Sequence, residues 1–354
     1  MTVRILIGDV REQLRLLPSE SFDCVVTSPP YWGLRDYDVA GQIGLEPTLG
    51  EHLAVMVDVF REVRRVLKAH GTLWLNYGDC YAAAPNGKSA AAYKADGSDD
   101  RTFRDKPFST VGGTLKPKDL CMMPNRLAIA LQDDGWYVRS EIIWHKPNPM
   151  PESVYDRPTS AHEKIWLLTK GEDYFYDHAA IREPVTGGAH ARATGPNSRV
   201  SIDRVPRSRK PGVTPKSAAE GTNIKAKGSF HASTTQLVES RNARNVWTIA
   251  PRAFREAHFA TFPPALAERC IKAGVPLTVC GCCGSVSNCG PICETFPRVP
   301  GHVLDPFGGA GTVSLVAQQR GLRSTLIELN PAYVAIAERR INGDASAPML
   351  EAAE

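Results

Sequence analysis

His302-Val303-Leu304-Asp305-Pro306-Phe307-Gly308-Gly309-Ala310-Gly311-Thr312 is the stretch from which the fold can be read. Its first residues form an apolar run too short for a helix, and the rest is a glycine-rich turn. Val313 to Arg320 then has helical character, Arg323 to Leu329 reads as a second strand, and Pro331 to Ile341 as a closing helix. Glu328 stands at the end of that second strand, about twenty residues after the glycines. Strand, glycine turn, helix, strand and terminal acid is the layout of a nucleotide-type cofactor site. The glycines let a ligand approach the backbone, and the acid accepts from ribose hydroxyls. The glycines alone would suit any tight strand-to-helix turn; Glu328 is what adds weight to the cofactor reading.

Working outward to the other end of the chain, Phe22 to Val26 is a second short apolar run that reads as a buried strand. It leads into Thr27-Ser28-Pro29-Pro30-Tyr31-Trp32. Two consecutive prolines fix φ and remove two donors, so no helix starts there and the Pro29 carbonyl is free to face a ligand. The turn offers an acceptor carbonyl, a hydroxyl and an aromatic ring at a strand's carboxyl end, where open α/β sheets place ligands. Before it, Arg4 to Ile7 reads as a strand ending at Gly8-Asp9, and Val10 to Leu17 as a helix.

After the turn, Thr48 to Lys68 is the clearest amphipathic helix, with Leu53, Val57, Phe60, Val63, Val66 and Leu67 on one face. Thr72 to Asn76 reads as a strand, Pro124 to Asp133 as a helix, and Tyr137 to Trp144 as a strand buried on both faces. Glu163 to Thr169 is a further strand candidate, order is expected to return at Val246 to Ile249 after the basic segment, and Pro264 to Ala273 reads as a helix opened by prolines. Residues 82–119 lack apolar periodicity and are expected to be a partly mobile surface insertion.

The 354 residues, 42% hydrophobic and 23% charged, suit a folded protein with a sizeable core. No apolar run approaches the length of a membrane span and the first residues lack a signal-peptide layout, so a cytoplasmic protein is expected. The net charge of +4 conceals an asymmetry. Residues 178–245 carry 12 Lys and Arg against 4 Asp and Glu, leaving the remainder acidic on balance. With Phe230 as its single Phe, Tyr or Trp, this segment has the composition of a region that orders on a polyanion; a solvated basic loop is the plainer alternative.

The two end motifs together resemble the amino-methylating DNA methyltransferases that use S-adenosylmethionine. Asp305 to Thr312 is similar to that family's cofactor motif and Ser28 to Tyr31 to its catalytic motif. The catalytic motif comes first, as in the permuted group called the beta class. Asn245-Val246-Trp247 and His258 to Pro263 resemble the segment that closes over the methionine part of the cofactor there. The resemblance implies a Rossmann-like, mixed but mostly parallel seven-stranded α/β sheet in permuted order. It divides the chain into a catalytic half (1–177), a basic target-recognition insertion (178–245) and a cofactor-binding half (246–345).

The resemblance also implies residue roles. Asp9, Thr261, Phe262, Asp305, Phe307, Gly308, Gly309, Gly311, Thr312, Glu328 and Asn330 would bind S-adenosylmethionine. The Gly308–Gly311 amides would receive its carboxylate side, Glu328 its ribose, Asp9 its adenine, and Asp305 would orient the glycine turn or meet the methionine ammonium. Ser28, Pro29, Pro30 and Tyr31 would catalyse direct transfer to an exocyclic amine: hydrogen bonds to the Ser28 hydroxyl and Pro29 carbonyl localise the nitrogen lone pair, and Tyr31 stacks on the base. No Pro-Cys pair, the mark of ring-carbon methylation, occurs in the chain. The base must be flipped from duplex DNA, with Trp32, Trp144 and Lys146 as candidates to hold it; Trp144 reads equally well as a core aromatic. Within the family, Ser before Pro-Pro-Tyr is typical of N4-cytosine enzymes and Asp or Asn of N6-adenine enzymes, so cytosine is expected and adenine is the alternative. A protein- or RNA-methylating enzyme would carry the cofactor motif first and Asn in place of Ser28. A non-catalytic DNA-binding module is the rival from another class. Double-stranded DNA, a homodimer and a cognate restriction enzyme are the partners such a prokaryotic or phage-encoded protein would have.

Nine cysteines include five between Cys280 and Cys293. Cys280, Cys283, Cys289 and Cys293 have gaps compatible with tetrahedral zinc, with Cys282 as a substitute. A structural zinc and a set of reduced surface thiols are both open from spacing. Cys24, Cys80, Cys121 and Cys270 read as buried small apolar residues.

Overall fold

The computed structural model describes residues 2–34, 36–37, 39–83, 108–185, 240–252, 263–287, 289, 293 and 295–343. It divides into two units, residues 1–177 with 244–354, and residues 178–243. The larger unit contains, in chain order, β1 (Val3–Ile7), α1 (Val10–Leu16), β2 (Phe22–Thr27), α2 (Leu49–Val66), β3 (Leu67–Tyr77), α3 (Met123–Asp133), β4 (Tyr137–His145) and β5 (His162–Thr169). The smaller unit contributes β6 (Glu183–Pro184) and β7 (Ser240–Arg241). The larger unit then resumes with β8 (Val246–Thr248), α4 (Pro264–Gly274), β9 (Thr278–Cys280), β10 (Arg298–Pro300), β11 (His302–Asp305), α5 (Thr312–Gln319), β12 (Arg323–Glu328) and α6 (Pro331–Gly343).

One sheet takes the order β1-β12-β11-β2-β3-β5-β4-β8. Every pairing is parallel except those of β5, which is antiparallel to both β3 and β4. The sheet is thus mixed and mostly parallel, as expected, but has eight strands rather than seven. The member beyond the expected strands is β8, whose three residues pair with the end of β4. With seven strands running the same way, the carboxyl ends of β1, β12, β11, β2, β3, β4 and β8 share one edge with the amino end of β5.

Helices cover both faces. Side chains along β3 alternate: Leu73 and Leu75 join the core beneath α1, α2 and α3, whereas Thr72 and Trp74 meet Gly274 of α4 on the other side. The sequence of α2 explains its packing. Thr48 and Glu51 form a capping box at its start, and His52, Met56, Val59, Phe60 and Val63 follow at spacings of three and four and are buried. β2 is buried at all six positions, which places it at the sheet centre. At its start the buried Asp23 accepts from Lys68 Nζ (2.8 Å), His70 Nε2 (2.9 Å) and the His302 amide (2.8 Å), tying β2, β3 and β11 together. Burial alone would raise this carboxyl; those donors hold it below the ordinary carboxylate range.

β4 departs from expectation: its first half alternates between exposed and half-buried, and only Ile142 and Trp144 are buried. β8 pairs only with Ile143 to His145, so the start of β4 is itself a sheet edge. The ends of the 82–119 insertion are pinned by an antiparallel bridge between Tyr81 and Leu120 and by the Ala82–Asp119 and Lys118–Ala82 backbone bonds; the mobility expected of its middle, 84–107, lies outside the described residues. Among the described residues no helix is long and apolar enough to cross a membrane. In the smaller unit, β6 and β7 form a short antiparallel pair closed by Arg182, which donates to Ser240 Oγ (2.8 Å) and Ser240 O (2.7 Å). Most of the basic segment, 186–239, lies outside the described residues.

Candidate active site at the carboxyl edge of the sheet

The two end motifs meet because β2 and β11 are neighbours. Val303 pairs with Cys24 and Leu304 with Val25, so the strands end side by side. Thr27 Oγ1 donates to Asp305 Oδ1 at 2.8 Å, and the Phe307 amide donates to the same oxygen at 3.1 Å. Asp305 is 2% exposed, and burial pushes its carboxyl up to about 7 despite the two donors. Asp305 thereby shapes the turn after β11 and fixes its distance from the proline turn.

The glycine turn is tightly constrained. A Cβ on Gly308 would lie 2.7 Å from Leu326, and one on Gly311 2.9 Å from Ala337; Gly309 and Gly311 also have positive φ, +49° and +75°. Its three glycine amides have partners within the protein: Gly308 N–H with Ile327 O (2.8 Å), Gly309 N–H with Glu328 Oε2 (2.8 Å), Gly311 N–H with Gly308 O (2.8 Å). The Glu328 contact is the one a ligand hydroxyl could exchange. Glu328 Oε1 accepts from the Asn330 amide, and burial raises the Glu328 carboxyl. Phe307 packs partly buried on the core.

Three other expected cofactor residues have structural partners. Asp9 caps α1 and takes three bonds from Arg11, at 2.8 Å from its amide and 3.0 and 2.6 Å from its guanidinium, which hold its carboxyl below the ordinary range. Thr312 is buried and its hydroxyl accepts from Arg340 at 3.2 Å. Asn330 Oδ1 accepts from the Ala332 amide at the start of α6. Thr261 and Phe262, with the rest of 253–262, lie outside the described residues.

On the other side of β2, the proline turn places Ser28 and Tyr31 half-buried at the edge. Tyr31 OH lies 3.5 Å from Ser28 Oγ and donates to Glu163 Oε2 at 2.9 Å. Burial first, then the Glu163 charge, pushes the Tyr31 phenol well above its ordinary range, so it remains a neutral donor. Glu163, at the amino end of antiparallel β5, also accepts from Asn76 Nδ2 (3.1 Å) and pairs with Lys146. Gly78 backs the ring: a Cβ there would fall 2.4 Å from Tyr31 Cε2. Behind the turn, His52 bridges Glu46 Oε2 (2.7 Å) and Tyr77 OH (2.8 Å), and Tyr77 stands edge-on to Tyr31. Glu163, Asn76, Gly78 and His52 were missed by pattern reading; a lone residue at a strand end carries no signal until its neighbour is known.

Two of the base-holding candidates are buried. Trp32 is 2% exposed, with its indole donating to Glu46 O at 2.9 Å, and belongs to the core. Trp144 is 4% exposed and donates to Ile249 O at 2.8 Å, in keeping with the core alternative. Lys146 covers the Trp144 ring, 4.5 Å from its centroid, and reaches Glu163. Of the three, Lys146 alone joins the Tyr31 cluster.

The sulfurs of Cys280, Cys283, Cys289 and Cys293 lie within 4.8 Å of one another. Cys24, Cys121 and Cys270 are buried as expected, whereas Cys80 is only half-buried.

The chain is similar to known proteins along most of its length. A family model described as DNA methylase, covering the N6 and N4 types, matches residues 22–339. Type II methyltransferase M.XycI of Xanthomonas campestris pv. cyanopsidis is 42% identical over 340 residues, covering 96% of this chain and 87% of that protein. Type II methyltransferase M.SmaI of Serratia marcescens is 40% identical over 338 residues, covering 96% and 90%. Among solved structures, the PvuII DNA methyltransferase (cytosine-N4-specific) superposes with a TM-score of 0.55 at 18% identity, covering 96% of this chain and 86% of that one. TTHA0409 from Thermus thermophilus, complexed with S-adenosyl-L-methionine, gives 0.51 at 23% identity and 98% coverage of both; at such identities the likeness is one of fold. With the full-length similarity and the family match, the chain belongs to the amino-methylating (N6/N4) DNA methylases.

Proposed function

We propose that the chain methylates the exocyclic N4 of a cytosine flipped out of duplex DNA, with S-adenosylmethionine as methyl donor. The observation that carries the choice of base is Ser28 in first place before Pro29-Pro30-Tyr31, held at the sheet edge beside the Tyr31–Glu163 pair. The donor supplies a methyl group on a positively charged sulfur, which leaves as a neutral thioether. On this reading Glu328 takes the ribose hydroxyls, exchanging its Gly309 contact, and Asp305 faces the methionine ammonium as a carboxylate.

The target nitrogen is a poor nucleophile because its lone pair is delocalised into the ring. Ser28 Oγ and the Pro29 carbonyl accept its two N–H bonds, which localises the lone pair and aims it at the methyl group. A nitrogen–carbon bond forms as the sulfur–carbon bond breaks, and the nitrogen then releases one proton to solvent. Tyr31, fixed by Glu163 and by the absence of a side chain at Gly78, provides the stacking surface. The basic segment 178–245 supplies phosphate contacts and base reading. The Type II names of the relatives support a cognate restriction enzyme as partner in the cell.

Nucleoside mass spectrometry of DNA from cells expressing the chain tests the base: N4-methylcytosine is expected, and N6-methyladenine without it would refute the choice. Ser28→Ala and Tyr31→Ala should each slow transfer by roughly 10²–10³-fold while cofactor binding persists. Unchanged transfer in both variants would dismiss the assignment of the proline turn.

A further inference from the structure

We propose that Cys280, Cys283, Cys289 and Cys293 bind one zinc ion in a closed structural site at the amino-terminal edge of the sheet, away from the methyl-transfer chemistry. A tetrahedral tetrathiolate with zinc–sulfur bonds of about 2.3 Å needs sulfurs roughly 3.8 Å apart. All four sulfurs lie within 4.8 Å of one another, and Cys283 and Cys289 are at 3.7 Å. Donors of this softness in this number select zinc over the oxygen-seeking cations.

The backbone is arranged to bring these sulfurs together. The Cys282 amide donates to Cys280 Sγ at 3.4 Å, and the Gly284 amide closes the first turn onto Cys280 O at 2.9 Å with φ of +70°. The turn thus stabilises charge on its first sulfur and turns the chain back after Cys283. Gly281 N–H binds Pro297 O at 3.1 Å, and a Cβ at Gly281 would meet that oxygen at 2.5 Å. This contact draws the arm after Cys293 against the first cysteine pair. Cys282, exposed, stands outside the set of four.

The position makes the site structural. Gly301 N–H reaches Leu277 O at 3.3 Å, so the segment from Thr278 to Pro300 is an excursion whose ends nearly touch. The β9–β10 pair precedes His302, the first residue of β11, whereas the candidate active site begins at Asp305 on the strand's other end. Gly284 sits against Lys68, near the start of β3, and Lys68 holds Asp23. Two strands therefore place the cluster at the same edge, opposite Ser28 and Glu328. Val279 and Cys280 are the hydrophobic residues of the described excursion that are buried. So small a core does not order a segment of this length, and four metal bonds would. Four protein ligands also leave no open position on the metal for a reactant.

Full-length protein purified without chelator should contain about one equivalent of zinc by elemental analysis. In place of zinc, cobalt(II) should give the visible spectrum of a tetrahedral tetrathiolate. Cys283→Ser and Cys289→Ser should lose the metal, and Cys282→Ser should keep it. Should the ligand variants not fold, titrating the wild type with a mercurial reagent supplies the same answer: zinc release should track modification of four thiols. Less than about a tenth of an equivalent of zinc with freely titrating thiols would overturn the site. So would iron in place of zinc, a disulfide among the four, or loss of metal in Cys282→Ser.

Discussion

The Thr27 hydroxyl donates to Asp305 Oδ1 at 2.8 Å, joining residues 278 positions apart in the chain. Thr27 immediately precedes Ser28, and Asp305 opens the glycine turn, so one buried hydrogen bond sets the distance between the catalytic and cofactor motifs. Neither motif could be aligned with the other by its local sequence.

Thr27→Val keeps the shape and removes the donor. With Asp305 2% exposed, the loss should destabilise the fold by about 1–3 kcal/mol and weaken cofactor binding. Urea denaturation and equilibrium titration with cofactor measure both; an unchanged unfolding midpoint would disprove the linkage.

The Asp305 carboxyl, raised from 3.8 to about 7, gives a pH dependence of definite sign. Between those values the native state keeps a proton that the unfolded chain has lost. Stability from this group therefore falls as pH rises from about 4 to about 7 and levels off above it. Asp305→Asn should gain on the wild type across that window, on the order of a few kcal/mol, and track it thereafter. Parallel stability curves for the two proteins would count against the raised value.

Gly78→Ala places a methyl group where Tyr31 Cε2 now lies 2.4 Å from the ideal Cβ. The ring must shift, while Glu328 and the glycine turn are untouched. Methyl transfer should drop about 10²-fold with cofactor affinity retained. Full activity would show that the position of Tyr31 is not critical.

His52 is fully buried, with both ring nitrogens in short contacts to Glu46 and Tyr77. His52→Ala takes one partner from the half-buried Glu46 carboxylate and opens a cavity, at a cost of about 2–5 kcal/mol. Because Glu46 also holds Trp32 and Gly44, transfer should fall along with the melting temperature. A change of less than about 1 kcal/mol would remove this network from the support of the proline turn.

By itself the sequence determined the elements and the two motifs. β-Branched runs, helical spacing, a capping box and the Pro29-Pro30 and Gly308–Gly311 turns act over a few residues, and their backbone preferences hold wherever the segment lies. They placed the strand ends and put Ser28, Tyr31, Asp305 and Glu328 at them. Which strand ends share an edge is not local. It follows from sheet pairing, and the pairing follows from burying both faces of β2 between β11 and β3 beneath two helix layers. Only that arrangement seated Glu163 of antiparallel β5 against Tyr31, brought Thr27 to Asp305, enclosed Trp32 and Trp144 in the core, and turned the glycine amides toward their own chain. Short-range sterics wrote the elements into the sequence, and the burial of apolar surface, which acts only between elements, selected their neighbours.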